Sequence, residues 1–189
     1  MFFILILLIV LDLVVFGVAA TQGVRLESAG SLSEHFLWGV LATLLFCFTH
    51  ILCLFYLIGS EADVKEALAG HSELQEKYVP WAKSLKRQVF PWASLAALLM
   101  VVATILGAHV HSDLLMKGLH EGRPADPPPL RGVGGWWIHL AFVVVAFASS
   151  LVAFYVELRA ARENRRGIAE INALLEHHSP IVARIEKSD

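Results

Sequence analysis

The chain alternates between long apolar stretches and shorter polar ones. Four apolar stretches, at 2–20, 36–59, 89–110 and 136–156, approach the roughly 20 residues that a helix needs to cross about 30 Å of hydrocarbon. Because a backbone in lipid must satisfy its own hydrogen bonds, uninterrupted stretches of this length are helical. The pattern predicts an all-α, polytopic membrane protein in which residues 1–160 form four transmembrane helices in an antiparallel bundle.

The composition supports this interpretation and excludes an ordinary soluble domain. Hydrophobic residues make up 57% of the 189 positions and charged residues 17%, and the mean hydropathy is +0.63. A net charge of −2 gives no indication of nucleic-acid binding. The first stretch resembles a secretory signal at "VAA", but it lacks a basic n-region and Asp12 interrupts it, so we expect a transmembrane helix.

Basic residues are unequally divided between the polar segments. Five Lys and Arg residues lie in the loop at 60–88 and six in the tail at 157–189, against four in the loops at 21–35 and 111–135. Basic residues mark the cytoplasmic side of a membrane protein. We therefore expect an integral membrane protein of the bacterial inner membrane with both termini and the middle loop in the cytoplasm.

Two amphipathic stretches lie outside the predicted membrane segments. At about residues 61–79, apolar side chains recur at three- and four-residue spacing, which predicts a helix that Pro80 ends. The C-terminal tail at 161–189 carries Ile168, Ile171 and Leu174 on one face. We expect these cytoplasmic helical extensions to pack on each other, and the alternative is a docking surface for a partner subunit.

Polar residues inside the apolar stretches need an explanation, because an ionisable side chain there costs about 2.5–3.5 kcal/mol on insertion scales. Asp12 and His50 lie about 14–15 Å from the predicted cytoplasmic face, and Ser149 and Ser150 about 11–12 Å from it. The matching depths predict one buried polar layer, in which an Asp12–His50 hydrogen bond offsets part of the desolvation cost. The layer is either a structural pair, a proton relay, a quinone-head site or a carboxylate-oriented histidine on metal or haem.

The stretch "FCFTHILC", residues 46–53, has cysteines three residues on either side of His50. On a helix the two cysteines lie about 9 Å apart along the axis and point in different directions. All three side chains therefore cannot close on one metal ion at about 2.0–2.3 Å. We interpret the stretch as one wall of the polar layer.

Five of the nine histidines lie at the predicted outer face. His109 and His139 lie at comparable depth on neighbouring helices, where facing histidines hold a b-type haem. His35, His111 and His120 are candidate ligands of a transition metal such as copper or zinc. On a helix, His109 and His111 point about 200° apart, so only one of them faces a given site. Hydration near the lipid headgroups is the alternative that needs no cofactor.

This arrangement resembles the small four-helix b-type cytochrome subunits that anchor redox enzymes and handle quinone. The resemblance implies a membrane subunit of an electron-transfer complex, with outer histidines binding haem b or a metal and the polar layer handling protons or quinone. Two alternatives remain: a cofactor-free accessory subunit, and a self-contained membrane enzyme or carrier that uses the Asp12–His50 layer. The expected partners are lipid, further complex subunits or a second copy, and possible quinone; the sequence leaves open whether the chain is an enzyme.

Overall fold

The computed structural model describes residues 2–24, 29–120 and 135–185, and this part of the chain is helical without strands. The four helices are α1 (Phe2–Val24), α2 (Ala29–Ala67), α3 (Ser72–His120) and α4 (Trp136–Ile185). Each contains a segment that is long and apolar enough to cross a membrane, which confirms the prediction made from the four apolar stretches.

The helices form a four-helix bundle with an apolar outer surface. α1 packs on α2, α2 on α3 and α3 on α4, and α4 also touches α1 and α2. Each helix buries one stripe; on α1 it consists of Leu5, Ile9, Asp12, Val15 and Ala19, at three- and four-residue spacing. The exposed faces are as apolar as the interior, with large side chains such as Leu7, Leu44 and Leu98 on the outside. Such a surface fits a lipid bilayer and not water.

The single helix predicted at about 61–79 does not form, because a turn divides this range between α2 and α3. α2 continues to Ala67, a turn follows in which Gly70 has a φ of 94°, and α3 then runs from Ser72 through both Pro80 and Pro91. Gly70 supplies the left-handed conformation that ends a helix, whereas a proline removes only one backbone hydrogen bond. The turn therefore lies at the glycine, and Pro80 stays inside a helix stabilised by packing.

The ends of α2 and α4 and the start of α3 pack together beyond the apolar stretches. Val64, Leu68, Tyr78 and Ile171 form a cluster separate from the main core. The edge of Trp81 lies directly on Gly167, where a Cβ atom would come within 2.0 Å of Trp81 Cη2. Glycine at this position lets α3 and α4 approach. We call residues 60–88 and 158–176 the polar extension, and the opposite end, with His35, His111 and His139, the histidine end.

Candidate functional site

Three ionisable side chains meet inside the bundle: Asp12 of α1, His50 of α2 and Glu157 of α4. Their exposed fractions are 0%, 1% and 0%. Each belongs to the buried stripe of its helix, because it lies three or four residues from other buried positions, as His50 does from Phe46 and Cys53. We call these three residues the buried triad.

His50 and Glu157 form the central contact of the triad. His50 Nδ1 lies 2.8 Å from Glu157 Oε1, which is the distance of a charge-assisted hydrogen bond with the ring N–H as donor. Sequence reasoning missed Glu157, because it directly follows the fourth apolar stretch and was counted with the charged tail. Its spacing of seven residues from Ser150 was the available signal, since that spacing puts both side chains on one helix face.

The predicted hydrogen bond between Asp12 and His50 does not form: Nδ1 of the ring bonds to Glu157 instead, and neither Nε2 nor an Asp12 oxygen has a partner among the described residues. Asp12 is nevertheless close enough to His50 and Glu157 to interact with both electrostatically. The Thr49 hydroxyl also lies beside Asp12, but it donates to the Leu45 carbonyl oxygen of its own helix at 3.1 Å. Within the described residues, neither carboxylate oxygen of Asp12 has a hydrogen-bond partner.

The triad thus contains an unusual concentration of unpaired buried polar atoms. Both oxygens of Asp12, Nε2 of His50 and Oε2 of Glu157 have no partner among the described residues. Buried polar atoms in folded proteins are normally hydrogen-bonded to protein or water, so each such atom needs an explanation. Four of them in one layer indicate a place for water or another polar group.

The two serines predicted for this layer contribute less than expected. Ser150 is fully buried, but its hydroxyl donates to the Ala146 carbonyl oxygen of its own helix at 2.9 Å. Ser149 is half-buried. Such i−4 bonding satisfies a hydroxyl locally, so Ser150 does not need the triad as a partner.

The surroundings of the triad differ along the bundle axis. Toward the histidine end lie four phenylalanines in mutual ring contact: Phe16, Phe46, Phe147 and Phe154. Toward the polar extension, Ser60 donates to Asn164 Oδ1 at 2.8 Å, and Asn164 Nδ2 donates to the Tyr56 hydroxyl at 3.0 Å. The buried carboxylate of Glu61 follows, bonded to Lys65 and Lys86.

At the histidine end, one local arrangement occurs twice. His35 lies on Gly23 of α1 and its Nδ1 donates to the Ala19 carbonyl oxygen at 2.8 Å. In the same way His139 lies on Gly107 of α3, and its Nδ1 donates to the carbonyl oxygen four residues earlier, at 3.0 Å. The carbonyl bond occupies Nδ1 of each ring, so Nε2 is the nitrogen left for a ligand.

The remaining predicted histidines are arranged differently from the expectation. His109 does not join His139: its side chain is 71% exposed and lies 3.8 Å from Asp113 of its own helix. His111 faces inward instead, close enough to His35 to interact electrostatically, and its buried Nδ1 has no partner in the described part of the chain. His35 is also close enough to His139 for such an interaction. The side chain of His120 lies outside the described residues.

The histidines of the histidine end do not form a preformed metal site among the described residues. Within the residues that the structure describes, no group of three His, Cys, Asp or Glu side chains is arranged to hold a metal ion. Cys47 and Cys53 are both free, one half-buried and the other buried. In comparisons with known proteins, no family model, no curated protein and no solved structure matches this chain.

Proposed function

We propose that the four helices cross the bilayer in alternating directions, as an antiparallel bundle. Contacts between α2 and α3 support this, because Thr43 bonds to Thr104 while Glu61 bonds to Lys86. Positions later in α2 therefore meet positions earlier in α3. The ring of Phe3 lies 5.8 Å from the guanidinium of Arg165, which supports a start of α1 at the polar extension. The basic residues of that extension favour the cytoplasmic side.

The proposed function is that of a redox-associated membrane subunit whose buried triad handles protons. The observation that carries it is the His50–Glu157 contact with Asp12 beside it, fully enclosed in apolar helices. Ionisable groups within a membrane bundle are costly, and in known membrane proteins they mark proton relays and ligand pathways. A histidine oriented by a carboxylate is a common proton donor and acceptor, and a quinone head group is a further candidate for the unpaired atoms.

For the cofactor, the proposal is a b-type haem held by His35 and His139. Their Nδ1 atoms are anchored to backbone carbonyls, an arrangement that orients a histidine and leaves Nε2 for a metal. A haem can be held by one or two histidines, which fits this pair better than the three or more ligands of a copper or zinc ion. A bound haem would supply one-electron transfer. The two histidines would provide its ligands, and Gly23 and Gly107 let the neighbouring helices approach closely.

The cofactor is tested by the visible absorption spectrum of the purified full-length protein. We expect a Soret band that disappears in His35→Ala and in His139→Ala. His109→Ala is the matched control, because His109 lies at the same end but points to the outside. A protein without a Soret band and without bound iron, purified from cells supplied with haem, would contradict the cofactor proposal.

A cofactor-free accessory subunit is the second candidate. It is favoured by the fact that His35 and His139 are each already bonded and packed on glycine, as structural residues would be. In that case the partners are further subunits of a membrane complex or a second copy of the chain. Co-purification of larger membrane partners with a protein that shows no absorbing cofactor would favour this candidate.

A further inference from the structure

On the side toward the histidine end, aromatic rings of α1, α2 and α4 lie next to the triad. The ring centroids of Phe16 and Phe147 lie 4.3 Å apart, and those of Phe46 and Phe154 lie 5.3 Å apart. The His50 ring itself lies 5.1 Å from the Phe154 ring. Phenyl rings provide no conventional hydrogen-bond donor or acceptor, and the one buried hydroxyl between Phe147 and Phe154 on α4, that of Ser150, donates to a carbonyl oxygen of its own helix. This layer therefore offers water few partners.

On the side toward the polar extension, two sets of hydrogen-bonded side chains lie between the surface and Tyr56. Lys65 is about half exposed and bonds to the buried carboxylate of Glu61, which directly follows Ser60. Ser60 bonds to Asn164, and Asn164 bonds to Tyr56. The Tyr56 hydroxyl accepts the bond from Asn164, so its own hydrogen remains available for donation. Tyr56 lies six residues, or about 9 Å, along α2 from His50 of the triad.

The unpaired atoms of the triad are those that water would satisfy. Free acceptor positions remain on Asp12 and on Glu157, and Nε2 of His50 is also unpaired among the described residues. α3 offers them no titratable group, because it passes this level with buried alanines, Ala93 and Ala96. The other titratable neighbours are the thiols of α2 that flank His50 in sequence, Cys47 near Asp12 and Cys53 near Glu157.

We infer that the buried triad exchanges protons with one side of the membrane only, through water that enters from the polar extension past Ser60, Asn164 and Tyr56. The inference rests on the proposed proton-handling function and adds its direction. In the uptake step, a hydronium ion in the entering water loses one proton, and an O–H bond forms at a free carboxylate oxygen of the triad. Release is the reverse step, and no electrons move in either.

The test uses full-length protein in sealed lipid vesicles, sorted by whether the C-terminal tail is accessible from outside. The external pH is stepped, and the infrared C=O absorbance of protonated carboxyl groups is followed in time. We expect a fast change when the polar extension faces outward, and a change limited by proton leak through the lipid when it faces inward. Equal rates in the two orientations, or the opposite order, would overturn the inference.

Variants test the entry path. We expect Tyr56→Phe to slow the fast change about tenfold, equivalent to about 1.4 kcal/mol on the barrier. Tyr78→Phe is the matched control, because its hydroxyl bonds to Glu170 within the polar extension, away from the path. Ser60→Ala is a second path variant and provides the test if Tyr56→Phe does not fold. Path variants that exchange as fast as the control would contradict the inference.

The same spectra separate this inference from the function on which it rests. In detergent, both ends of the bundle are open to the buffer, so the carboxyl absorbance should change with pH whatever the entry side. If Asp12→Asn and Glu157→Gln remove no part of that change, the triad does not exchange protons, and the proposed function fails together with its direction. If they remove it but the vesicles respond equally in both orientations, only the inference fails.

Discussion

The buried triad and the histidine end both hold imidazole rings inside the bundle, but the rings have different hydrogen-bond partners. His50 is bonded to a side chain, the carboxylate of Glu157. His35 and His139 are bonded to backbone carbonyl oxygens of neighbouring helices. A backbone carbonyl is present whatever residue occupies the position, whereas a carboxylate partner carries a charge that can change. The histidine end is therefore suited to holding a ring in place, and the triad to changing its protonation.

The two regions also differ in how many buried polar atoms lack a hydrogen-bond partner. At the triad, unpaired buried atoms come from Asp12, His50 and Glu157, on three different helices. At the histidine end, the one such atom among the described residues is Nδ1 of His111. A group of unpaired atoms from several helices is costly to keep, so its presence is better explained by function than by packing.

Breaking the His50–Glu157 pair is expected to have the largest effect. Glu157→Ala leaves His50 buried without its partner, and removal of one member of a buried pair costs about 3–5 kcal/mol. We expect a loss of that size in the free energy of unfolding, measured by denaturant titration in detergent. The double variant His50→Leu with Glu157→Leu should recover most of it. A loss below about 1 kcal/mol for Glu157→Ala would mean that the pair is not formed.

Removing the Asp12 carboxylate is expected to stabilise the protein, whereas breaking the His50–Glu157 pair destabilises it. Its carboxylate has no hydrogen bond among the described residues, and it lies on a helix that is otherwise apolar. Because an acidic residue near the middle of a membrane helix costs about 2.5–3.5 kcal/mol, we expect Asp12→Leu to raise the free energy of unfolding by up to about 2–3 kcal/mol. The same denaturant titration measures it. Destabilisation by Asp12→Leu would indicate a bonded, structural role instead.

At the histidine end, the glycine under a ring is the sensitive position. A Cβ on Gly107 would lie 2.8 Å from His139 Cε1, so Gly107→Ala must displace the ring and weaken its bond to the Ala103 carbonyl. We expect a loss of about 1–3 kcal/mol, the usual cost of overpacking, measured as a lower Tm. Gly17→Ala is the control, because no atom lies within 4 Å of its added Cβ. Equal effects of the two changes would contradict the packing described for His139.

The smallest effect is expected at Ser150, which the sequence analysis placed in one polar layer with Asp12 and His50. Its hydroxyl bonds to a carbonyl of its own helix, and removal of that bond leaves no triad atom without a partner. We expect Ser150→Ala to change the free energy of unfolding by less than about 0.5 kcal/mol. The free energy of unfolding of Ala153→Ser provides a comparison at a neighbouring position. A change larger than about 1 kcal/mol would mean that the Ser150 hydroxyl interacts with the polar layer.

The sequence predicted the four helices and the common level of Asp12 and His50 because both depend on local quantities, apolar length and rise per residue. It did not predict which side chains would bond, because the pairing depends on how helices rotate about their axes. Glu157 illustrates this: its helix face was readable from the spacing, but its approach to His50 depends on the packing of α2 and α4.

The histidines show the same limit. The spacing of His109 and His111 indicated that only one of them would face inward, but the choice of His111 depends on the rotation of α3. The role of Gly23 and Gly107 as supports for histidine rings could not be predicted either. A glycine in an apolar helix can serve several structural roles, and its role depends on what the neighbouring helix packs against it.

In the proposed redox subunit, the histidine end and the buried triad, 15 residues or about 22 Å apart along α2, act together. The most direct test is the infrared difference spectrum between the oxidised and the reduced full-length protein. We expect a change in carboxyl C=O absorbance upon reduction that is absent in Glu157→Gln or Asp12→Asn and retained in Glu163→Gln. A reducible protein with no such carboxyl change, or with the same change in all variants, would contradict it.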